Sequence, residues 1–216
     1  MQDKSYYEKV FSNERMSKYY IKYGDDWEKA VNHYKLNIQI SEAFYPILSI
    51  YEVALRNSLN RELTTFFGTT EWYLNISSTT GLLNLKTNIN NAKKHIAKRN
   101  ETINGSKMVA ELTMGFWVRL LNAEYERILW KPLRRAFPYL EKNKKQRNKV
   151  SAPLNKIRDF RNRVFHHEPI SWNLNRVSET NDLIIEVLKW LNNELPDFVT
   201  EINRVPKILE KANEQI

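Results

Sequence analysis

Apolar residues recur at steps of three and four along nearly the whole of this 216-residue chain, and no stretch alternates apolar with polar as a half-buried strand would. That periodicity constrains the fold most. A repeat near 3.6 buries one stripe of a helix and cannot be laid on a pleated sheet. From Asp25 to Phe67, the residues Ile40, Phe44, Ile47, Tyr51 and Ala54 mark one buried face, with Asp25 and Asp26 placed to cap its start. Pro46 lies inside the pattern and predicts a kink or a break into two helices. Gly68 predicts the stop.

Further along, the spacing predicts a loop over 71–85, then a helix to about Arg99 and a turn at Asn104-Gly105. Ser106 opens an amphipathic helix through Met108, Leu112, Phe116, Leu120 and Leu121, and Lys142 to Lys149 reads as a basic connector. A helix from about Ala152 to His167 carries Leu154, Ile157, Phe160 and Val164 on one face, and Pro169 sets its end. A last strong helix runs from Asn181 to Asn192, and shorter helical stretches follow Pro196 and Pro206. The expected fold class is all-α, in one domain spanning 1–216, with a core over about 25–195 and a helical extension over 196–216.

The chain has 6 Trp, 11 Tyr and 9 Phe, ample material for a core, so disorder is not expected. It has no cysteine, which rules out disulfides, a thiolate nucleophile and cysteine-ligated metal centres. Met1 to Val10 carries charges and no continuous apolar run, so no signal peptide is expected there. No window approaches the roughly 18 apolar residues that span a bilayer. A cytoplasmic protein without membrane contact is the expectation.

The formal net charge of +9 is unevenly placed. Residues 86–163 hold 20 Lys/Arg against 6 Asp/Glu, while the rest of the chain holds 14 against 19. A basic stretch of this kind is either a solvated surface or a contact for nucleic acid. It leads directly into Arg161-Asn162-Arg163-Val164-Phe165-His166-His167-Glu168, where two of the four histidines stand side by side. Asn162 and His166, four apart, share a helix face. Both histidines fall just before Pro169, where exposed carbonyls and the helix dipole suit a cationic side chain. Imidazole transfers protons near neutral pH, and a guanidinium beside it can grip a phosphate or stabilise charge developing on phosphorus. Those are the parts needed to cleave a phosphodiester by an RNA 2′-hydroxyl, with no metal or other cofactor. The alternative is a helix end with a capping histidine and an Arg–Glu ion pair.

Arg161-Asn162-x-x-x-His166 resembles the Arg-x(4–6)-His motif of HEPN ribonucleases, and the string from Arg161 to Ile170 is similar to the corresponding segment of bacterial Abi-like (abortive-infection) proteins. Ser49-Ile-Tyr-Glu-Val-Ala-Leu-Arg-Asn57, followed by Phe67-Gly68 and Trp72, resembles that family's first core helix and its exit. Glu111-Leu-Thr-Met-Gly-Phe-Trp117 resembles its mid-chain motif, with Met114 where a larger aromatic is expected. The resemblance implies a HEPN-like helical bundle with additional helices at both ends. It also implies a homodimer that brings two motifs into a composite site, and metal-independent RNA cleavage in phage defence or a toxin–antitoxin system restrained by an RNA or protein antitoxin. Carried over, Arg161 contacts the scissile phosphate, His166 does acid–base chemistry and Asn162 orients the pair. His167 competes for the role of His166. Arg158 and Arg163 flank the motif as candidate RNA-binding cations. Glu52 and Arg56, four apart, are either a structural ion pair or a device that positions Arg161. A non-cleaving domain that binds RNA or a partner protein is the alternative function.

Other features are read without special roles. His33 and His95 are isolated and are expected to be surface or half-buried residues rather than ligands. Trp117, Trp130, Tyr19, Tyr20 and Tyr23 read as core or ordinary surface, and there is no glycine-rich phosphate loop.

Overall fold

Short polar side chains set where the first helices begin. In the computed structural model of the protein, which describes residues 3–24 and 26–215, Asp3 accepts from the Tyr6 amide at 3.0 Å and opens α1 (Lys4–Phe11). Ser12 accepts from the Arg15 amide and opens α2 (Asn13–Tyr23). Asp26 accepts from the Lys29 amide at 3.0 Å at the start of α3 (Trp27–Phe67). Asp25, the other expected cap, lies outside the described residues. Gly68, at φ 69°, supplies the left-handed residue that follows α3. The expectation at Pro46 was a kink or a break, and the helix runs through it without a break. Phe44, Ile47, Leu48 and Tyr51 around that proline are fully buried. Their burial outweighs the roughly 3 kcal/mol that an interior proline costs a helix.

Segment 71–85, expected as a loop, holds α4 (Trp72–Ser78) and a 3-10 turn at Leu83–Leu85. Buried Trp72, Tyr73 and Ile76 stabilise a helix that its serines would not form alone. α5 (Lys86–Lys98) ends where expected. The amphipathic stretch beyond it is two helices, because Asn104 caps α6 (Gly105–Glu111) and Thr113 caps α7 (Met114–Arg119). A π-helical turn at Glu126–Trp130 leads into α8 (Lys131–Leu133). α9 (Arg147–Phe165) starts ahead of Ala152 and carries Pro153 inside, so part of the expected connector is helix. α10 (Leu174–Leu191) starts well ahead of Asn181 because Asn173 Oδ1 accepts from the Arg176 amide at 2.8 Å. α11 (Leu195–Thr200) and α12 (Val205–Gln215) are the short helices expected at the late prolines, each starting one residue before its proline.

No strand occurs among the described residues, and the fold is all-α. No described helix is long and apolar enough to cross a membrane. The chain divides into two compact units. The first comprises Met1–Pro46, Phe160–Asp182 and Ile202–Ile216, and the second Ile47–Asp159 and Leu183–Glu201. In the first, Met16, Tyr19, Tyr20, Ala30, Val31 and Tyr34 form a core against which Tyr7, Phe11, Tyr23 and Trp27 pack. Phe44 also meets Phe160 there at 4.7 Å between ring centroids. In the second, Trp72 stacks on Phe116 and meets Trp117 edge-on at 5.7 Å. Both indoles are satisfied: Trp72 Nε1 donates to Asn60 Oδ1 at 2.8 Å and Trp117 Nε1 to the Leu112 carbonyl at 3.2 Å.

Candidate active site at the end of the motif helix

The helix that carries Arg161 and Asn162 ends in a turn built by hydrogen bonds from three successive amides. The His166 amide donates to the Asn162 carbonyl at 2.8 Å, so His166 closes the helix. His167 then takes φ 56°, its amide donates to Val164, and the Glu168 amide reaches back to Arg163 at 2.9 Å. This is a Schellman arrangement, in which a glycine ordinarily occupies the left-handed position. Here it is a histidine, one of the few side chains that tolerate the geometry. The two residues that usually make an apolar contact across the motif are Arg163 and Glu168, joined by an ion pair at 3.3 Å. Arg163 also donates to the Pro169 carbonyl. Read from sequence as an RNA-binding cation, it is engaged in holding the turn.

Other helices of the same unit clamp the turn. Arg15 of α2 donates to the His167 carbonyl at 2.6 Å. Asn37 of α3, 2% exposed, accepts from the Ile170 and Ser171 amides at 2.7 and 3.1 Å and donates to the Glu168 carbonyl. His33, one turn earlier on α3, bonds Ser171 Oγ at 2.8 Å through Nε2 and Tyr23 Oη at 3.0 Å through Nδ1. Its ring packs edge-on against Trp172 at 4.6 Å. Expected at the surface or half-buried, His33 is 3% exposed. Sequence reasoning gave no role to Arg15, Asn37 or His33. The signal was present for two of them: His33 and Asn37 continue the stripe of Ile40, Phe44, Ile47 and Tyr51 at steps of four and three. A polar residue on an apolar stripe needs a buried partner.

Burial, with Lys22 adding to it, pushes the His33 imidazole down from 6.5 to about 4. The unfolded chain therefore takes up a proton at higher pH than the folded one. Stability from this group is fully present above about pH 6.5 and is lost as pH falls from there toward 4. The thermal midpoint is expected to fall between pH 7.5 and 5.5, above the range where most carboxylates titrate. A His33→Gln variant, with a lower midpoint at pH 7.5, should show a shallower fall across that interval; an equal slope in both proteins would refute the assignment.

His166 and His167 border one cavity of about 250 Å³ with Ser12, Glu14, Arg15, Lys18 and Tyr19 of the N-terminal helices and with Glu168 and Pro169. The left-handed turn at His167 takes that residue off the helix, and both reach the same space. Arg161 does not border that cavity. Its guanidinium lies 4.1 Å from the centroid of the Phe165 ring, one turn along the helix, in cation–π contact. Phe165 in turn meets Tyr45 at 6.2 Å. A larger cavity of about 630 Å³, lined by Tyr23, Lys29, Asn32, His33, Lys35, Leu36 and Gln39, shares no residue with the histidine cavity.

The remaining sequence candidates fall in the second unit. Glu52 and Arg56 stand one turn apart on α3. Arg56 borders a cavity of about 280 Å³ with Asn57, Asn60, Thr70 and Gly105, and its Nε is buried without a hydrogen-bond partner among the described residues. Arg158, expected to bind RNA, folds onto its neighbour Asp159 at 2.7 Å. Among the described residues no three His, Asp or Glu side chains converge as a metal-binding group. His95 is exposed and paired with Glu111 at 3.1 Å, as befits a surface residue. No protein-family model matches the chain, and no curated protein or solved structure does.

Proposed function

We propose that the protein is a metal-independent endoribonuclease. The observation that carries this reading is the pair of histidines bordering one cavity, on a turn clamped by Arg15 and Asn37 at the end of the helix that bears Arg161 and Asn162. In the reaction the 2′-oxygen of RNA bonds to the adjoining phosphorus and gives its proton to a base. The bond from phosphorus to the 5′-oxygen breaks, and that oxygen takes a proton from an acid. The products carry a 2′,3′-cyclic phosphate and a 5′-hydroxyl. His166 is the acid–base residue of first choice and His167 its competitor. Arg161 stabilises the charge on the phosphoryl oxygens, and Asn162, beneath His166 on the helix, orients it.

Five residues of helix set Arg161 and His166 about 140° apart, which supports a site completed by a second copy of the chain. Beside Arg161, Tyr45 and Phe165 leave 61% and 40% of their surface exposed, and Ile38 lies two turns before Tyr45 on the same face. An aromatic patch of this kind suits a homodimer contact. The setting consistent with an RNA-damaging activity is phage defence or a toxin–antitoxin pair, with an RNA or protein antitoxin as restraint. The second reading is an RNA-binding module that does not cleave, favoured by the basic charge of residues 86–163. Cleavage of total RNA by the purified protein in excess EDTA decides between them. Cutting with 2′,3′-cyclic phosphate ends is expected; tight binding without cutting would favour the second reading.

A further inference from the structure

The cavity beside His166 and His167 contains two cations that no motif includes, Arg15 and Lys18 of α2. They sit one turn apart, so both side chains leave the same face of the helix. Arg15 is anchored by its bond to the His167 carbonyl, which uses one guanidinium nitrogen, Nη1, and leaves the rest of a five-donor fork for other acceptors. Two carboxylates also border the space. Glu168 is neutralised by Arg163, and Glu14 interacts with its own backbone amide and with Ser12. Glu14 keeps its negative charge, and against it Arg15 and Lys18 leave the space net positive, beside two histidines.

We infer that Arg15 and Lys18 form a phosphate subsite that holds a backbone phosphate next to the scissile one. The inference rests on the nuclease reading for its substrate, but anion binding can be measured without cleavage. In this arrangement α2 supplies the grip on the strand and the motif turn supplies the proton transfer. The Arg15 contact then couples the two, because the guanidinium that meets the phosphate also fixes the turn.

The test is binding of an all-2′-deoxy oligonucleotide, which lacks the attacking hydroxyl, by wild type, Lys18→Gln, Arg15→Gln and Arg15→Lys across a salt series. Each glutamine variant is expected to bind several-fold more weakly, with a salt slope shallower by about one phosphate contact. Lys18 is exposed, so its substitution leaves folding intact; Arg15→Lys keeps the charge and is expected to restore most of the slope. Inorganic phosphate should move the ring resonances of His166 and His167 in wild type and less so in Lys18→Gln. Unchanged affinity and slope in both glutamine variants would overturn the subsite, even if wild type cleaves RNA. Absence of cleavage with these binding differences intact would end the nuclease reading and leave the anion site standing.

Discussion

His166→Ala is expected to remove RNA cleavage, lowering the rate a hundred- to ten-thousand-fold, the range by which a positioned acid–base group accelerates proton transfer. Arg161→Ala is expected to do the same through loss of charge stabilisation on phosphorus. His166 closes the helix with its amide bonded to Asn162, and an alanine there keeps that bond. A lost rate in a protein with an unchanged melting curve is therefore chemical and not structural. The neighbouring position separates the two histidines. His167 holds φ 56°, where an L side chain carries about 1–2 kcal/mol of strain. His167→Gly relieves it, while the Arg15 bond survives because its acceptor is the backbone carbonyl. The thermal midpoint should then rise by about 2–4 °C per kcal/mol gained in a chain of this size. Cleavage retained in His167→Gly and lost in His166→Ala assigns the acid–base role to His166. The reverse result transfers it to His167, and loss in both makes them a pair.

The second large effect concerns stability. Asn37→Leu removes the side chain that serves the Ile170 and Ser171 amides while keeping a similar volume. Both residues are buried, so water does not replace the lost acceptor. Each orphaned amide costs about 1–3 kcal/mol, and the thermal midpoint is expected to fall by roughly 5–15 °C. The turn bearing His166 and His167 loses the clamp on its far side, so cleavage measured well below the new midpoint should fall as well. A midpoint within a degree of wild type would show that the amides find other acceptors. In that case Asn37 is not what holds the segment after the motif helix.

Much of the secondary structure is legible in the residues. The stripe of α3, its stop at Gly68, the end of the motif helix before Pro169 and the helices at Pro196 and Pro206 follow from periodicity and from the geometry of proline and glycine. The errors cluster where a short polar side chain competes with that pattern. Asn173 starts α10 early and Thr113 divides α6 from α7, while buried Trp72 turns an expected loop into α4.

The motif itself was legible, because two adjacent histidines after an Arg-Asn pair stand out in a chain with four histidines. The sequence alone determined the all-α class and singled out the motif residues and the helix that carries them. Which of those residues share a space was decided by tertiary structure. A left-handed residue at His167 leaves both histidines bordering one cavity, while Arg161 packs on Phe165 and does not border it. The cations that join the histidines come from α2, more than a hundred residues earlier in the chain. Periodicity records only which face of an element is buried. It carries no record of which distant face lies opposite, because that is settled by packing and by buried amides, such as those of Ile170 and Ser171, finding an acceptor.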